Sequence, residues 1–331
     1  MRQDVYPIDA LVAGLRGRLV AQPNWPAVIE LANHALLTPS LFASLNEAGL
    51  LQHVPGDVRN YLQFIHDRNR ERNLLLRSQL DEAVAAFNSV GIVPILLKGA
   101  VPLFLSGAAQ NRMTSDLDVA VTAQDEAPAQ TCLEELGYVA VSSGRGMERP
   151  QDVGVLELRL YHPDDFGAPK LVKQNELLVK IPSGSSRAWH WMAHDMLKEG
   201  DYWRGRMDLR HMYDLAQLSE DGQVDWTVFR ASLSDKSVGN AVDTQLLSLN
   251  RFFGTPVPAD CLERPLLRFQ HWRRSFASRH PLLGAPLRLA GNLFWGAKRL
   301  SRVRELAQAD PVHLVRRIAG VLCNENIRSK I

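Results

Sequence analysis

The hydrophobic pattern of this chain changes at Gly91, and this change limits the fold more than any other feature. From Val58 to Phe87, apolar residues recur at helical spacing with charged residues around them, which predicts one long amphipathic helix. Beyond Gly91, apolar runs at Ile92 to Leu97 and Asp116 to Thr122 have the composition of strands and flank a short apolar helix. A long helix that leads into strands and short helices predicts an α+β fold.

Helical patterns fill the chain on both sides of this stretch. In the N-terminal part we predict helices at Asp9 to Leu19, Trp25 to Ala35 and Pro39 to Ala48. Within the strand-rich part we predict further strands at 137–141, Val155 to Tyr161 and Leu171 to Ile181. We therefore expect a helical N-terminal region at 1–90, an α/β domain at 91–182 and a helical C-terminal region at 183–331.

The composition points to a folded protein of a reducing compartment. With 331 residues, 46% of them apolar, the chain can bury a sizeable core. Lys and Arg number 38 against 36 for Asp and Glu, so net charge does not separate a nucleic-acid binder from an ordinary enzyme. Three widely spaced cysteines argue against a disulfide framework and against a CxxC zinc site. We expect a cytoplasmic location.

No segment has the pattern of a signal peptide or a membrane span. The first ten residues carry acids and a proline where a secretory signal needs basic residues and then an apolar core. Between Ala83 and Asn111 the sole charge is Lys98, but this apolar stretch is interrupted by glycines and prolines. Its apolar residues are better explained as the core of the α/β domain.

Two aspartates open the strand at Asp116. Residues two apart on a strand point to the same face, so Asp116 and Asp118 can share a hard divalent cation while Leu117 and Val119 face the core. Two close carboxylates repel each other unless a cation or a proton relieves them. A pair of metal ions suits such a site, one activating an attacking oxygen and the other holding a triphosphate and the leaving pyrophosphate.

The residues before this strand add to the pattern. The preceding strand ends in Lys98 and Gly99, and Gly99 allows a backbone to approach a phosphate closely. The short helix that follows presents free N–H groups at its start. Lys98 is interpreted either as a point charge for nucleotide phosphates or as a strand-end lysine in solvent. Arg112 is interpreted either as a ligand of phosphate or of the Asp-x-Asp loop, or as a structural ion pair.

The segment from Leu96 to Val121, with its Leu-Leu-Lys-Gly strand end and its Arg followed by Asp-x-Asp, resembles the signature of the uncharacterised nucleotidyltransferase family in the DNA polymerase beta-like superfamily. The resemblance also covers MDLRHMYDLAQL and the later VDW, about residues 25–235 in all. It implies a polymerase beta-like core, a small mixed sheet with helices, as the catalytic domain at 91–182. It also implies two Mg²⁺ ions and a nucleoside triphosphate such as ATP as co-substrate.

The resemblance further implies roles for individual residues. Gly99 and Ala100 stand where the superfamily usually has Gly-Gly or Gly-Ser, and the loop from there to Asp116 is longer than in the minimal pattern. The expected nucleotide contacts are Lys98, Gly99, Ala100, Arg112 and Ser115. The superfamily usually has a third carboxylate on a later strand, and Glu157 is the candidate to join Asp116 and Asp118 as catalytic metal ligands. Glu157 could instead pair with Arg159 or face solvent, with Asp152, Asp164 and Asp165 as substitutes.

A basic tract lies between Arg264 and Arg304, with ten Lys or Arg and no Asp or Glu. Its cations and aromatic residues fit three interpretations. It could bind RNA or another polyanion, lie on an anionic membrane surface as a peripheral contact, or cap the fold with buried aromatics and exposed arginines.

A histidine pair offers a different metal hypothesis. His190 and His194 lie four apart on a predicted helix, the spacing of a zinc pair, but the glutamate of HExxH is missing. A His-Asp metal phosphohydrolase would need a metal at His194 and Asp195. The nucleotidyltransferase interpretation leaves the acceptor open among RNA, proteins and small molecules. Its alternative is a catalytically inactive nucleotide-binding or scaffold protein with the same fold.

Overall fold

The computed structural model describes residues 5–106, 111–141, 146–280 and 282–309, with side chains as far as Ala297. It has an α+β architecture in which helices flank a mixed sheet, so the predicted fold class is confirmed at that level. The helices are α1 Pro7–Leu15, α2 Trp25–His34, α3 Thr38–Glu47, α4 Gly56–Ser89, α5 Ala100–Ser106, α6 Glu126–Glu135, α7 Gly184–Met192, α8 Asp201–Arg204, α9 Leu209–Glu220, α10 Trp226–Ala231, α11 Lys236–Phe253, α12 Asp260–Glu263, α13 Pro265–Arg279 and α14 Ala285–Ala309. The strands are β1 Ile95–Leu96, β2 Asp116–Val121, β3 Val139–Ala140, β4 Gly146–Glu148, β5 Val155–Leu160, β6 Lys170–Gln174 and β7 Leu177–Ile181.

The helices begin where the sequence supplies caps. Prolines occupy the first turn of α1, α2 and α3, where a missing N–H costs no helical hydrogen bond. Asp208 caps α9 by accepting from the backbone N–H of His211, and Asp235 caps α11 by accepting from that of Val238. Gly254 ends α11 in a left-handed conformation.

The helices before and after the sheet share one hydrophobic core. Buried residues of α1 and α3, such as Leu11 and Leu41, belong to the same cluster as Met212 of α9 and Leu246 of α11. A second cluster joins the sheet to α5 and α6. Helix α4 contributes to both, because Leu62 lies in the first cluster and residues from Leu76 to Phe87 lie in the second. The long helix therefore connects the helical core with the sheet.

The sheet has seven strands in the order β3-β4-β5-β2-β1-β7-β6. Strand β2 is parallel to β5, and β1 is parallel to β7, whereas β1 and β2 are antiparallel. The central strand β2 therefore lies between β1, which ends just before Lys98, and β5, which carries Glu157. This order places three predicted site segments side by side.

The prediction of one strand from Leu171 to Ile181 is wrong, because these residues form the hairpin of β6 and β7. Asn175 and Glu176 separate the two strands, and both have positive φ, 48° and 66°. Two central residues with positive φ are what a tight two-residue hairpin turn needs. The four polar residues from Lys173 to Glu176 interrupt the apolar pattern at this point, a turn signal that the prediction of a single strand overlooked.

Arginines of the basic tract make internal contacts in α13 and just before it. Arg264 pairs with Asp243, and Arg279 pairs with Asp9. Arg273 donates to the carbonyl oxygens of Tyr202 and Trp203. These contacts agree with a tract that closes the fold, although Trp272 is half-exposed rather than buried. The side chains of Lys298, Arg299, Arg302 and Arg304 lie outside the described residues.

No helix among the described residues is long and apolar enough to cross a membrane. The apolar stretch from Ala83 to Asn111 instead contributes the end of α4, strand β1 and helix α5.

Arg274 offers a test of the buried part of the tract. Its side chain is 0% exposed and donates to Arg206 O and Gln245 Oε1, both at 2.8 Å. Burial lowers the pKa of Arg274 to about 10, while Asp201 and Asp195 favour its charged form. Replacing Arg274 with Met leaves these buried groups without their cation, and we expect a loss of about 3 kcal/mol in the free energy of unfolding. Urea unfolding measures it.

The matched control is Arg268→Met on the same helix, where the side chain is exposed. This change should alter the free energy of unfolding by no more than about 0.5 kcal/mol. Equal unfolding midpoints for the two variants would contradict a structural role for Arg274.

Candidate active site

The pairing of β2 with β5 brings the predicted acids to one face of the sheet. The two strands are parallel and in register, with Asp116 opposite Val155 and Asp118 opposite Glu157. Since residues two apart on a strand share a face, Asp116, Asp118 and Glu157 all point to the same side. One carboxylate oxygen from each of the three lies within 4.8 Å of the others.

The opposite face of β2 belongs to the core. Leu117 and Val119 are 0% exposed and pack in the cluster between the sheet and its helices, as predicted. Asp118 is also 99% buried, with 1% exposure, whereas Asp116 and Glu157 are half-buried. A carboxylate as deeply buried as Asp118 needs a compensating positive charge.

Two cations supply that charge. Lys98 Nζ donates to Asp118 Oδ1 at 2.9 Å. Arg159 Nε lies 2.9 Å from the same oxygen, but without hydrogen-bond geometry, so this contact contributes charge rather than a directed bond. Arg159 also pairs with Glu157 through a second guanidinium nitrogen. Three carboxylates and two cations leave the group with a formal charge of −1.

The donor atoms of this group fit a magnesium ion. All three side chains offer carboxylate oxygens, the ligands that this hard cation prefers. Around one Mg²⁺, with Mg–O distances of about 2.1 Å, ligand oxygens are at most about 4.2 Å apart. The separations of up to 4.8 Å would close by a small side-chain rotation. The remaining negative charge also favours a cation.

The turn after β1 is built around Lys98 and Gly99. Lys98 has a φ of 44°, a left-handed conformation that is uncommon for a residue with a side chain. The backbone N–H of Leu97 donates to Asp118 O at 3.0 Å, which fixes the turn against β2. A Cβ at Gly99 would lie 2.7 Å from Arg112 Nη1 and 3.0 Å from Thr114 Cγ2. The absence of a side chain at Gly99 therefore allows Arg112 to pack against the turn.

Arg112 joins the turn to the C-terminal helices. Its Nε donates to Asp214 Oδ2 on α9 at 2.9 Å, and both side chains are mostly buried. This is the structural ion pair that formed one of the two interpretations of Arg112. The same guanidinium contacts the Gly99 turn, so the pair holds α9 against the start of the site.

The segment leading to Asp116 is held by α4. Arg72 donates to the carbonyl oxygens of Thr114 and Ser115, and Asn73 donates to that of Arg112. These bonds explain how a segment without regular structure can place Asp116 at a defined position.

The remaining predicted site residues have different surroundings. Ser115 Oγ donates to Asp116 Oδ1 at 2.8 Å. The side chain of Ala100 is 0% exposed and packs in the core, so only its backbone is left for a ligand. Among the substitutes for Glu157, Asp152 pairs with Arg149 and Asp164 accepts from Ser186, and Asp165 is not part of the carboxylate group.

Sequence reasoning gave no site role to Arg159, Asp214 or Arg187. For Arg159 a signal existed, because it lies two residues after Glu157 on the same strand and must share its face. Asp214 comes from α9 and meets Arg112 only in the tertiary fold. Arg187 comes from α7 and lines a narrow crevice together with Lys98.

A second group of metal-capable side chains lies in the helical part. His194, Asp195 and His211 each offer one ligand atom within 4.8 Å of the others. The Nδ1 atoms of both histidines lie 3.0 Å from Asp195 Oδ1. His190 is outside this group, 3.8 Å from Asp164, so the predicted pair of His190 and His194 is not the pair that the fold assembles.

Comparisons with known proteins add a family match. A family model described as an uncharacterised nucleotidyltransferase matches residues 21–254, more than two thirds of the 331 residues. The matched range contains the whole sheet and the three carboxylates, and it ends before α13. No curated protein and no solved structure matches the chain.

Gly99→Ala tests the close packing at the turn. The added methyl group would collide with Arg112 and Thr114, and we expect a loss of about 1–3 kcal/mol in the free energy of unfolding. Thermal or urea unfolding measures it. Gly239→Ala is the control, because nothing lies within 4 Å of that position and alanine favours the helical interior of α11. A Gly99→Ala protein as stable as the parent would disprove this account of the turn.

Proposed function

The chain belongs to the uncharacterised nucleotidyltransferase family, and from this premise we propose that it transfers a nucleoside monophosphate from a nucleoside triphosphate to an acceptor. The proposal includes a polymerase beta-like catalytic core formed by the strands around β2. It is supported above all by one observation, the group of Asp116, Asp118 and Glu157 on one face of two parallel strands. Such a reaction needs no Ser or Cys nucleophile, because metal ions and the positioning of the reactants supply the catalysis.

The three carboxylates would hold Mg²⁺, with two ions in the full site. When bound, the ions neutralise the triphosphate and activate the attacking oxygen. Asp118 holds its carboxylate in a fixed position, since it is buried and contacted by Lys98 of the turn after β1 and by Arg159 of β5. Asp116 and Glu157 are half-buried and face the reactants.

The reaction conserves atoms and charge in one displacement. An oxygen of the acceptor forms a bond to the α-phosphorus, and the bond from that phosphorus to the bridging oxygen breaks. Pyrophosphate leaves, and the acceptor releases its proton. The side chain of Lys98 is one-third exposed. When the triphosphate enters the site, Lys98 can release Asp118 and bind a phosphate oxygen instead. Arg112 positions the Gly99 turn, at which the triphosphate approaches the backbone.

Charge-neutralising substitutions test the proposal. Asp116→Asn and Asp118→Asn keep the side-chain volume but remove a metal ligand, and we expect each to lower transfer by about a hundredfold or more. The assay is incubation with α-³²P-labelled nucleoside triphosphates, Mg²⁺ and fractionated cell extract, followed by measurement of the label that each fraction acquires.

The matched control is Glu148→Gln, an exposed carboxylate on the same sheet. It should transfer at the parental rate. Parental rates for Asp116→Asn and Asp118→Asn, in folded protein, would refute the assignment of these carboxylates.

A second candidate function is nucleotide binding without transfer. The observation that favours it is the internal neutralisation of Asp118 by Lys98 and Arg159, which satisfies a buried carboxylate without a metal ion. Titration calorimetry separates the two functions. Nucleotide binding that needs Mg²⁺ and is lost in Asp118→Asn supports the transferase, whereas binding that is equal with EDTA and with Mg²⁺ supports the inactive protein.

The basic tract has no part in this proposal. It lies outside the family match, and Arg264, Arg273, Arg274 and Arg279 bond to residues of this chain. A polyanion or an anionic membrane surface would have to compete with those contacts.

A further inference from the structure

A cavity of about 210 Å³ lies between helices α3, α7 and α9. Its lining includes Ser40 of α3, Arg187 and Trp191 of α7, and Arg210 and Tyr213 of α9. Arg112 lines the cavity as well, and the same guanidinium packs against the Gly99 turn.

The cavity shares two lining residues with a crevice next to the proposed catalytic centre. This narrower crevice is lined by Lys98, His190 and the same two residues of α7, Arg187 and Trp191. Lys98 in turn bonds to Asp118. Arg210 of α9 also lines the cavity, and Asp116 is close enough to favour the charged form of the Arg210 guanidinium. The crevice itself has no room for a molecule, but Arg187 and Trp191 border both it and the cavity, so the cavity lies next to the residues that surround Lys98.

Positive charge exceeds negative charge in this cavity. Its lining contains three arginines, Arg112, Arg187 and Arg210, against two aspartates, Asp214 and Asp221. Burial lowers the pKa of Arg187; Asp214 opposes that effect, and Arg112 adds to it. Burial and then Arg112 also lower the pKa of Arg210. Burial is the main cause of the lowered pKa of both guanidinium groups, and an anion beside them would favour their charged forms.

Two buried N–H donors of the lining have no acceptor among the described residues. Trp191 is 4% exposed, and its indole Nε1 is buried without a hydrogen-bond partner. The Nε of Arg187 is in the same state, although another nitrogen of that guanidinium bonds to Gln223. Buried donors are almost always paired in folded proteins, so an acceptor group of a ligand would be stabilised at these two donors of α7.

We propose that this cavity binds an anionic group, a phosphate or a carboxylate, on the acceptor molecule of the transfer reaction. The inference rests on the proposed function and names the chemical class of its acceptor. The volume holds a single charged group with a small frame, since binding cavities for whole drug-sized molecules have about 300–1,000 Å³. The cavity accordingly holds one anionic group of the acceptor. In this proposal the nucleotide binds at the Lys98–Gly99 turn. Arg187 and Trp191 border both the cavity and the crevice that Lys98 lines.

Calorimetric titration of the full chain in metal-free buffer tests the cavity, with inorganic phosphate as one probe and succinate as the other. We expect one of them to bind, and the arm that gives the tighter binding identifies phosphate or carboxylate chemistry. Arg187→Gln should weaken that binding at least about tenfold, because a charge-assisted bond is lost. Trp191→Phe, which removes the N–H but keeps an aromatic ring, should weaken it about threefold to tenfold. Arg268→Gln, exposed on α13, should leave it unchanged.

Asp118→Asn separates this inference from the proposed function. Because Asp118 is no part of the cavity lining, the variant should bind the probe as the parent does even when transfer is lost. Probe binding that persists in saturating nucleoside triphosphate with Mg²⁺ supports an acceptor site. Displacement of the probe by the triphosphate would show that the cavity holds the nucleotide and would overturn the inference. So would the failure of both probes to bind, or equal binding by the parent, Arg187→Gln and Trp191→Phe, in protein whose thermal unfolding is unaltered.

Discussion

The structure depends on neutralising three carboxylates that two parallel strands place on one face of the sheet. Asp118 is nearly inaccessible to water, and an isolated buried carboxylate would be strongly destabilising. Lys98 and Arg159 reach it from the neighbouring turn and strand, yet the group remains negative by one charge. This charge balance stabilises the buried carboxylate by itself and still favours a divalent cation, as the proposed function requires. Removing either cation or either aspartate would change this balance.

The helices determine where this group can act. Helix α4 packs in both hydrophobic clusters and holds the segment before Asp116 by side-chain bonds to its carbonyl oxygens. From the other side, Asp214 of α9 pairs with Arg112 and thereby fixes the Gly99 turn. The N-terminal and C-terminal helices share one hydrophobic core. The arginine-lined cavity lies between helices of both groups, α3 from the N-terminal part and α7 and α9 from the C-terminal part.

Particular residues show how much of the fold and of the candidate site is predictable from the sequence. Alternation on β2 and β5 was enough to assign Asp116, Asp118 and Glu157 to one side of their strands, because side-chain direction follows chain parity. The same parity could have included Arg159. The hairpin of β6 and β7 was missed although the four polar residues from Lys173 to Glu176 interrupt the apolar pattern at its turn, because neither glycine nor proline marks the reversal. The basic tract could not be interpreted from its charge alone. The sequence does not show whether an arginine bonds to a carbonyl oxygen of its own chain or lies in solvent.

The sequence by itself determined the order of elements, the caps that begin the helices, the faces of the strands and the membership of the family. These properties are local, because they depend on periodicity and on residues a few positions apart. Only the tertiary structure decided that β5 lies next to β2 in register, that Asp214 meets Arg112, and that Arg187 and Trp191 border the cavity. Those contacts join residues separated by tens of positions, and their geometry is set by the packing of the two cores rather than by any pattern along the chain.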